Sequence, residues 1–225
     1  MKYKNTVLGR FVDRPNRFIA HVLIDNIIET VHVKNTGRCR ELLIPGVLVV
    51  LEKSDNPDRK TAYDLVMVHK DGIGWVNIDS QMPNYLVNEW LRNKPENFSD
   101  IEFIKPEYKY GDSRIDFYME GAGRKVLMEV KGVTLERDGV CYFPDAPTER
   151  GIKHIHELIK AQNNGYEAYL AFVIQMNGVN LVKANVGTHK AFGDALDAAI
   201  EAGVKVLMLP CFVDSTSIFI VEKNK

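Results

Sequence analysis

The sequence predicts two domains, a small closed β-barrel over residues 1–80 and a mixed α/β domain over residues 81–225. Short apolar runs separated by turn signals fill the first part, and after Ser80 helical spacing alternates with strands. The length of 225 residues allows one large domain or two ordinary ones. A 45% hydrophobic content and a net charge of -1 exclude a disordered chain.

Five strands are predicted in the first domain. Residues 18–24 and 27–33 are apolar runs on either side of Asp25-Asn26, which is typical of a β-hairpin. The other strands are residues 47–51, 61–68 and 75–78. Five short strands in about 80 residues are typical of a small barrel of the oligonucleotide-binding (OB) type, although a small sandwich gives a similar pattern.

The second domain is predicted to be an α/β layer with an antiparallel hairpin at its centre. Helices are expected where apolar residues recur at helical spacing, at residues 83–93, 148–163 and 189–202. Strands are expected at residues 101–108, 113–119, 124–130, 166–175, 204–209 and 217–221.

The central hairpin carries two carboxylates and a lysine. If its loop is residues 121–124, then Glu120 pairs with Lys125, and Asp116 lies across from Glu129 with the Cβ atoms about 5 Å apart. Strand alternation points Glu129 and Lys131 to the same face. The simpler interpretation is a solvated face, since Glu-x-Lys occurs by chance in many edge strands.

A divalent cation would relieve the repulsion between two such carboxylates. Mg²⁺ or Mn²⁺ is expected, because Mg²⁺ prefers oxygen ligands and keeps several waters. The metal could polarise a phosphodiester and activate a water, while Lys131 neutralises developing charge. The three residues Asp116, Glu129 and Lys131 therefore predict a site for phosphodiester hydrolysis.

The amino-terminal segment is basic. Residues 1–40 contain eight Lys and Arg against three Asp and Glu, in a chain whose overall charge is -1. This excess can attract a polyanion such as nucleic acid. The candidate binding residues are Arg14, Asn16, Arg17, Arg38 and Arg40. The alternative is structural, with the arginines paired to Glu41 or Asp13.

Other sequence features concern the cellular location and two residues near the candidate site. No apolar run is long enough to span a membrane, no secretory signal is evident, and the three widely spaced cysteines fit the reducing cytoplasm. His154 is expected to face solvent. Asp145 is expected either to cap the helix that follows it or to serve catalysis.

Several motifs together resemble the sugar fermentation stimulation protein A family over nearly the whole chain. In the first domain they are Arg14-Pro15-Asn16-Arg17-Phe18, Asn35-Thr36-Gly37-Arg38, Glu41-Leu42-Leu43 with Pro45-Gly46, Asn56-Pro57 and Arg59-Lys60-Thr61. In the second they are Pro83-Asn84, Ser113-Arg114-Ile115-Asp116-Phe117, Glu129-Val130-Lys131 and the nine residues 143–151. The nine-residue run, FPDAPTERG, is the most specific of these.

The resemblance implies an OB barrel followed by a restriction-endonuclease-like domain of the PD-(D/E)XK class, and it implies DNA binding. By position, Asp116 and Glu129 match the metal-binding acids and Lys131 the lysine of that class. Glu107 and Glu89 are further acid candidates by the same resemblance. Two functions stay open: a metal-dependent nuclease, or a non-catalytic DNA-binding regulator of sugar utilisation genes.

Overall fold

The computed structural model describes residues 1–221. The first domain contains six strands: β1 (Thr6–Asp13), β2 (Ile19–Ile24), β3 (Ile27–Val33), β4 (Leu48–Lys53), β5 (Tyr63–Lys70) and β6 (Gly74–Asn77). They form one sheet in the order β3-β2-β1-β4-β5-β6. The sheet closes because β3 also pairs in parallel with β5, with His32 beside Asp64. The predicted barrel is confirmed, and the sandwich alternative is wrong.

Strand β1 was not predicted from the sequence, because Gly9 and Arg10 interrupt its apolar pattern. The glycine has a packing role. A Cβ atom at Gly9 would lie 2.5 Å from Cγ1 of Val22 and 3.1 Å from the carbonyl oxygen of Leu23. Gly9 therefore lets β1 and β2 approach each other closely.

The second domain contains three α-helices and nine strands within the described residues. The helices are α1 (Met82–Arg92), α2 (Glu149–Asn163) and α3 (Lys190–Glu201), with one 3₁₀ turn at Glu96–Phe98. The strands are β7 (Phe103–Tyr110), β8 (Ser113–Gly121), β9 (Arg124–Val133), β10 (Glu136–Arg137), β11 (Val140–Phe143), β12 (Glu167–Ile174), β13 (Val182–Ala184), β14 (Lys205–Val213) and β15 (Ile218–Ile220).

The main sheet has the order β15-β14-β12-β9-β8-β7, with β9, β12 and β14 mutually parallel. Helix α1 packs on one face, where Leu86 and Val87 meet apolar residues of β8 and β9. Helix α2 packs on the other face through Ile155 and Leu158. The predicted α/β layer is confirmed, and a small second sheet, β10-β11-β13, was not predicted.

Helix α2 is capped by Thr148, whose Oγ1 accepts a hydrogen bond of 3.0 Å from the backbone N–H of Gly151. The expectation that Asp145 caps this helix is therefore wrong. Asp145 lies three positions before the cap, with an exposed side chain.

The two domains join without a linker, through buried polar contacts. The Gln175 side chain of the second domain donates to Asn77 at 2.8 Å and to the carbonyl of Asp79 at 3.2 Å. The backbone N–H of Asn77 in turn donates to the carbonyl of Gln175 at 2.9 Å. Since buried polar groups with partners fix a single arrangement, these bonds hold the barrel against the sheet.

Two further expectations concern the chain as a whole. No helix within residues 1–221 is long and apolar enough to cross a membrane. Cys39, Cys141 and Cys211 are all buried and free, which agrees with the expectation that they form no disulfide framework.

Candidate functional site

The β8–β9 hairpin has the register predicted from its loop. Glu120 pairs with Lys125, and the ladder continues to Phe117 and Met128. Asp116 and Glu129 are the next positions on the two strands. At this point a side-chain contact replaces the strand pairing: Oδ2 of Asp116 accepts a hydrogen bond of 2.7 Å from the backbone N–H of Val130.

The pairing of β8 with β7 is also irregular at Asp116. Asp116 lies between the pairs Pro106–Phe117 and Tyr108–Ile115, beside Glu107, whose φ is +52°. This left-handed conformation is unusual for a residue other than glycine, and such distortions recur beside functional sites. The side chain of Asn84 on α1 donates to Oδ1 of Asp116 at 2.9 Å. Helix α1 and β9 therefore fix the direction of this carboxylate.

Glu129 is buried, with 2% of its surface exposed. One oxygen, Oε1, accepts hydrogen bonds from Nζ of Lys131, at 2.5 Å, and from Nδ1 of His154. The other oxygen, Oε2, is buried and has no hydrogen-bond partner. A buried charged oxygen without a partner is costly. It marks the place where a cation would be stabilised.

The two acids have opposite pKa shifts. Burial and the negative charge of Glu129 raise the pKa of Asp116 to about 6. Burial also acts to raise the pKa of Glu129, but the hydrogen bond from His154 and the charge of Lys131 outweigh it and hold that pKa below its usual value. Glu129 is thus a stable carboxylate, and Asp116 gains most from a nearby positive charge.

His154 is a member of this cluster that sequence reasoning missed. It was expected to face solvent, but only 6% of its surface is exposed. The buried face of α2 contains Gly151, His154, Ile155 and Leu158. Their spacing of three, four and seven residues is that of one helix face, so this pattern could have identified His154 as inward-facing.

The two additional acids lie in different places. Glu107 lines the same open cavity as Asp116, with a volume of about 350 Å³, and is paired at its exposed end with Arg114 at 3.0 Å. We call this cavity the acid cleft; Ser80, Gln81 and Asn84 also line it. Glu89 is elsewhere, since its carboxylate accepts a hydrogen bond of 3.1 Å from the N-terminal amine of Met1. The structure removes Glu89 from the candidate metal ligands.

Within residues 1–221, no three His, Cys, Asp or Glu side chains converge in a geometry that would hold a metal ion. A cation at this site would therefore rest on Asp116 and Glu129, with Glu107 as the other carboxylate that lines the acid cleft. A cation bound to two carboxylates takes its other ligands from water or from a substrate, as is usual for Mg²⁺.

The predicted basic residues meet on the barrel in a second cavity, of about 430 Å³. We call it the arginine cleft. Its lining includes all five candidates, Arg14, Asn16, Arg17, Arg38 and Arg40, together with Thr36 and Pro45. Arg17, Arg38 and Arg40 are exposed. Three exposed cations around one cleft are suited to phosphate contacts.

Arg14 has a different role from the one predicted. Its Nη1 donates to the carbonyls of Gly37, at 2.8 Å, and Arg38, at 3.0 Å. Its Nη2 donates to the carbonyls of Arg17, at 2.7 Å, and Asn35, at 2.5 Å. All four terminal N–H groups are thus used by backbone, and Arg14 holds two loops together instead of presenting a fork to a phosphate.

Asn16 is also partly structural. Its Oδ1 accepts hydrogen bonds from the backbone N–H groups of Phe18, at 2.8 Å, and Ile19, at 3.1 Å. This bond pattern shapes the turn before β2. The guanidinium of Arg17 lies 5.3 Å from the centre of the Phe18 ring, which leaves a cation and an aromatic face together at the surface.

The matches to family models agree with this architecture. The model described as "SfsA N-terminal OB domain" matches residues 12–78. The model described as "Sugar fermentation stimulation protein RE domain" matches residues 81–217, more than half of the chain. The chain belongs to the sugar fermentation stimulation protein family. The resemblance found from the sequence motifs is therefore confirmed, as is the OB type of the barrel.

Close relatives in this family cover nearly the whole chain. A sugar fermentation stimulation protein homolog from Ruminiclostridium cellulolyticum is 54% identical over 95% of this chain and 94% of its own length. A homolog from Clostridium beijerinckii is 53% identical, with 97% and 96% covered. Pyrococcus furiosus SfsA, solved in complex with Ca²⁺, is 27% identical and superposes with a TM-score of 0.89 over 98% of this chain and 95% of that one.

Proposed function

We propose that this protein is a metal-dependent phosphodiesterase that acts on nucleic acid, with DNA as its substrate class. The observation that carries the proposal is the pair of carboxylates on the β8–β9 hairpin, the half-buried Asp116 and the buried Glu129. Asp116 has a raised pKa, and Glu129 has a buried oxygen without a partner. Both features are unfavourable in the protein alone, and a hard divalent cation between them would relieve both.

Asp116 and Glu129 would hold Mg²⁺ or Mn²⁺. When bound, such a metal supplies Lewis-acid polarisation of a phosphoryl oxygen and a more acidic bound water. The related Pyrococcus furiosus protein was solved with Ca²⁺, a cation that also prefers oxygen ligands. That structure supports a hard-cation site in the family and leaves its position in this chain to be tested.

The remaining side chains have separate tasks under this proposal. The Lys131 ammonium lies beside Glu129 and would neutralise charge that develops on the phosphate in the transition state. His154 fixes the orientation of Glu129 through its hydrogen bond. Arg17, Arg38 and Arg40 would bind phosphates on the OB barrel, a fold that commonly binds oligonucleotides. A DNA substrate agrees with the cytoplasmic location expected from the sequence.

A cleavage assay tests the proposal. The purified protein is incubated with single-stranded, duplex and branched DNA and with RNA, in Mg²⁺, Mn²⁺ or EDTA. We expect cleavage that needs the metal and is lost in Asp116→Asn. Asp197→Asn, an exposed change on α3, is the matched control and should cleave normally. If the protein binds DNA but no substrate is cut, it is instead a non-catalytic DNA-binding regulator.

A further inference from the structure

The arginine cleft and the acid cleft are connected. A third cavity, of about 340 Å³, lies between them at the junction of the two domains; we call it the junction cavity. It shares Thr36 with the arginine cleft. It shares Ser80 and Gln81 with the acid cleft. The three cavities therefore adjoin one another in a row from the barrel arginines to Asp116, and we call this row the groove.

The floor of this groove is fixed. The backbone N–H and the hydroxyl of Ser80 both donate to the carbonyl of Lys34, each at 2.9 Å, which anchors the end of the first domain to its barrel. Across the domain boundary, the Gln175 side chain donates to Asn77 at 2.8 Å and to the carbonyl of Asp79 at 3.2 Å. Since these bonds tie the barrel to the second domain, the two ends of the groove keep a constant separation.

The two ends of the groove carry opposite charges, and the charges between them are paired. The barrel end has the exposed cations Arg17, Arg38 and Arg40. In the junction cavity the charges are paired, with Arg59 on Asp64 at 2.7 Å and Lys34 on Asp79 at 2.9 Å. Beyond the junction, the neutral side chains of Gln81 and Asn84 line the acid cleft together with Asp116 and Glu107. The free positive charge is thus concentrated at the end farther from the metal site.

Phe18 provides a stacking surface at the junction. It lines the junction cavity with 48% of its surface exposed, and Arg17 lies over its ring at 5.3 Å. An exposed ring with an arginine beside it suits an unpaired base, whose face is free to stack. In a duplex that face is covered by neighbouring bases.

We infer that the groove binds a single strand of DNA across both domains, from the arginine cleft through the junction cavity to Asp116. The inference rests on the proposed function for its active end and adds the strand type and its path. The barrel would hold the phosphates and stack a base on Phe18, and the fixed floor would deliver the strand to the acids. Cleavage would then fall at a set distance from the bound segment.

Gln81 allows a direct test, because its exposed side chain lines the groove past the junction. Affinities are measured by fluorescence anisotropy with oligothymidylates of roughly 4 to 24 nucleotides, a range that starts at the smallest site size of an OB fold. Ca²⁺ replaces Mg²⁺ in this binding assay. Gln81→Glu should weaken long strands about fivefold and Gln81→Lys should strengthen them, while strands too short to leave the barrel bind all three proteins equally.

Phe18→Ala supplies a second readout. It should weaken single strands by roughly 10-fold and leave duplex affinity unchanged, because only unpaired bases stack on the ring. Phe212→Ala, an exposed phenylalanine on β14 away from the groove, is the control and should change neither. Thermal unfolding confirms that each variant is folded.

The groove is overturned if both Gln81 variants bind short and long strands with the same affinity ratio as wild type, or if Phe18→Ala weakens single strands and duplex equally. These results are separate from the proposed function. If the Gln81 variants change the affinity for long strands only, and no DNA is cut in Mg²⁺, the groove proposal stands and the nuclease proposal is rejected. If DNA is cut but the effect of the Gln81 variants does not depend on strand length, the nuclease proposal stands and the groove proposal is rejected.

Discussion

The protein has two charged regions that are built in opposite ways. In the arginine cleft, Arg17, Arg38 and Arg40 are exposed. On the β8–β9 hairpin, Glu129 is buried and is contacted by Lys131 and His154. The first region presents charges to the solvent, and the second holds charges away from it.

This difference has an energetic meaning. Exposed charges add little to stability and are available to bind phosphates in a salt-dependent way. Burying a charge costs free energy because the charge loses its hydration, and apolar residues of the same size often replace buried charges without loss of stability. The hairpin cluster is thus suited to chemistry, and the arginine cleft to affinity. Variants in one region should change properties that variants in the other leave alone.

The largest effect is expected for Lys131→Ala. If Lys131 stabilises charge in the transition state, its loss should lower the cleavage rate on the order of 10²–10³-fold and change DNA affinity only modestly. Lys125→Ala, an exposed change on the same strand, is the control. Single-turnover cleavage and equilibrium binding are measured on one substrate. Equal losses in rate and affinity would show that Lys131 is only a phosphate contact.

The triple variant Arg17→Ala, Arg38→Ala, Arg40→Ala should have the opposite profile. On single-stranded DNA each lost phosphate contact flattens the plot of log affinity against log salt by roughly 0.7, so the slope should fall by roughly two. Cleavage at saturating DNA should stay normal. Replacing the exposed lysines Lys94, Lys125 and Lys183 with Ala is the charge-matched control. An unchanged slope in the arginine variant would place DNA elsewhere on the protein.

Arg14→Ala separates structure from binding inside the arginine cleft. Removal of the guanidinium leaves four carbonyls without their donor, so the free energy of unfolding should fall by about 2 kcal/mol. Urea unfolding measures this change, and the triple variant above should unfold like wild type. If Arg14→Ala is as stable as wild type, its loop contacts do not support the barrel.

A smaller effect is expected for His154→Leu. The change removes the hydrogen bond to Glu129 in a buried site, and loss of such an outer partner should weaken metal binding by about 10-fold. His154→Gln keeps a donor at this position and should restore part of the affinity. Calorimetry with Mn²⁺ provides the measurement. Equal affinities in all three proteins would mean that His154 does not position Glu129.

The sequence predicts local features of the site well. The loop length of the central hairpin fixes its register, so the pairing of Glu120 with Lys125 could be derived from residue counting. Strand alternation likewise places Glu129 and Lys131 on one face, where their side chains are 2.5 Å apart. Both inferences need only neighbours along the chain or across one tight turn.

Features that depend on distant segments could not be derived in this way. Arg14 was assigned to phosphate binding, but it donates to carbonyls up to 24 residues away. His154 acts through Glu129, 25 residues earlier in the chain, and Glu89 meets the amine of Met1. The parallel β3–β5 contact that closes the barrel is also non-local. A polar residue has the same local sequence signature whether it meets solvent or a distant segment.

Titration of Mn²⁺ into the wild-type protein by calorimetry tests the metal site most directly. We expect one site that involves Asp116, because Asp116→Asn removes a ligand charge and should weaken binding by more than about 100-fold, beyond what an outer partner contributes. The Asp197→Asn control should bind Mn²⁺ like wild type. Equal Mn²⁺ affinity in wild type and Asp116→Asn would show that Asp116 is not a metal ligand.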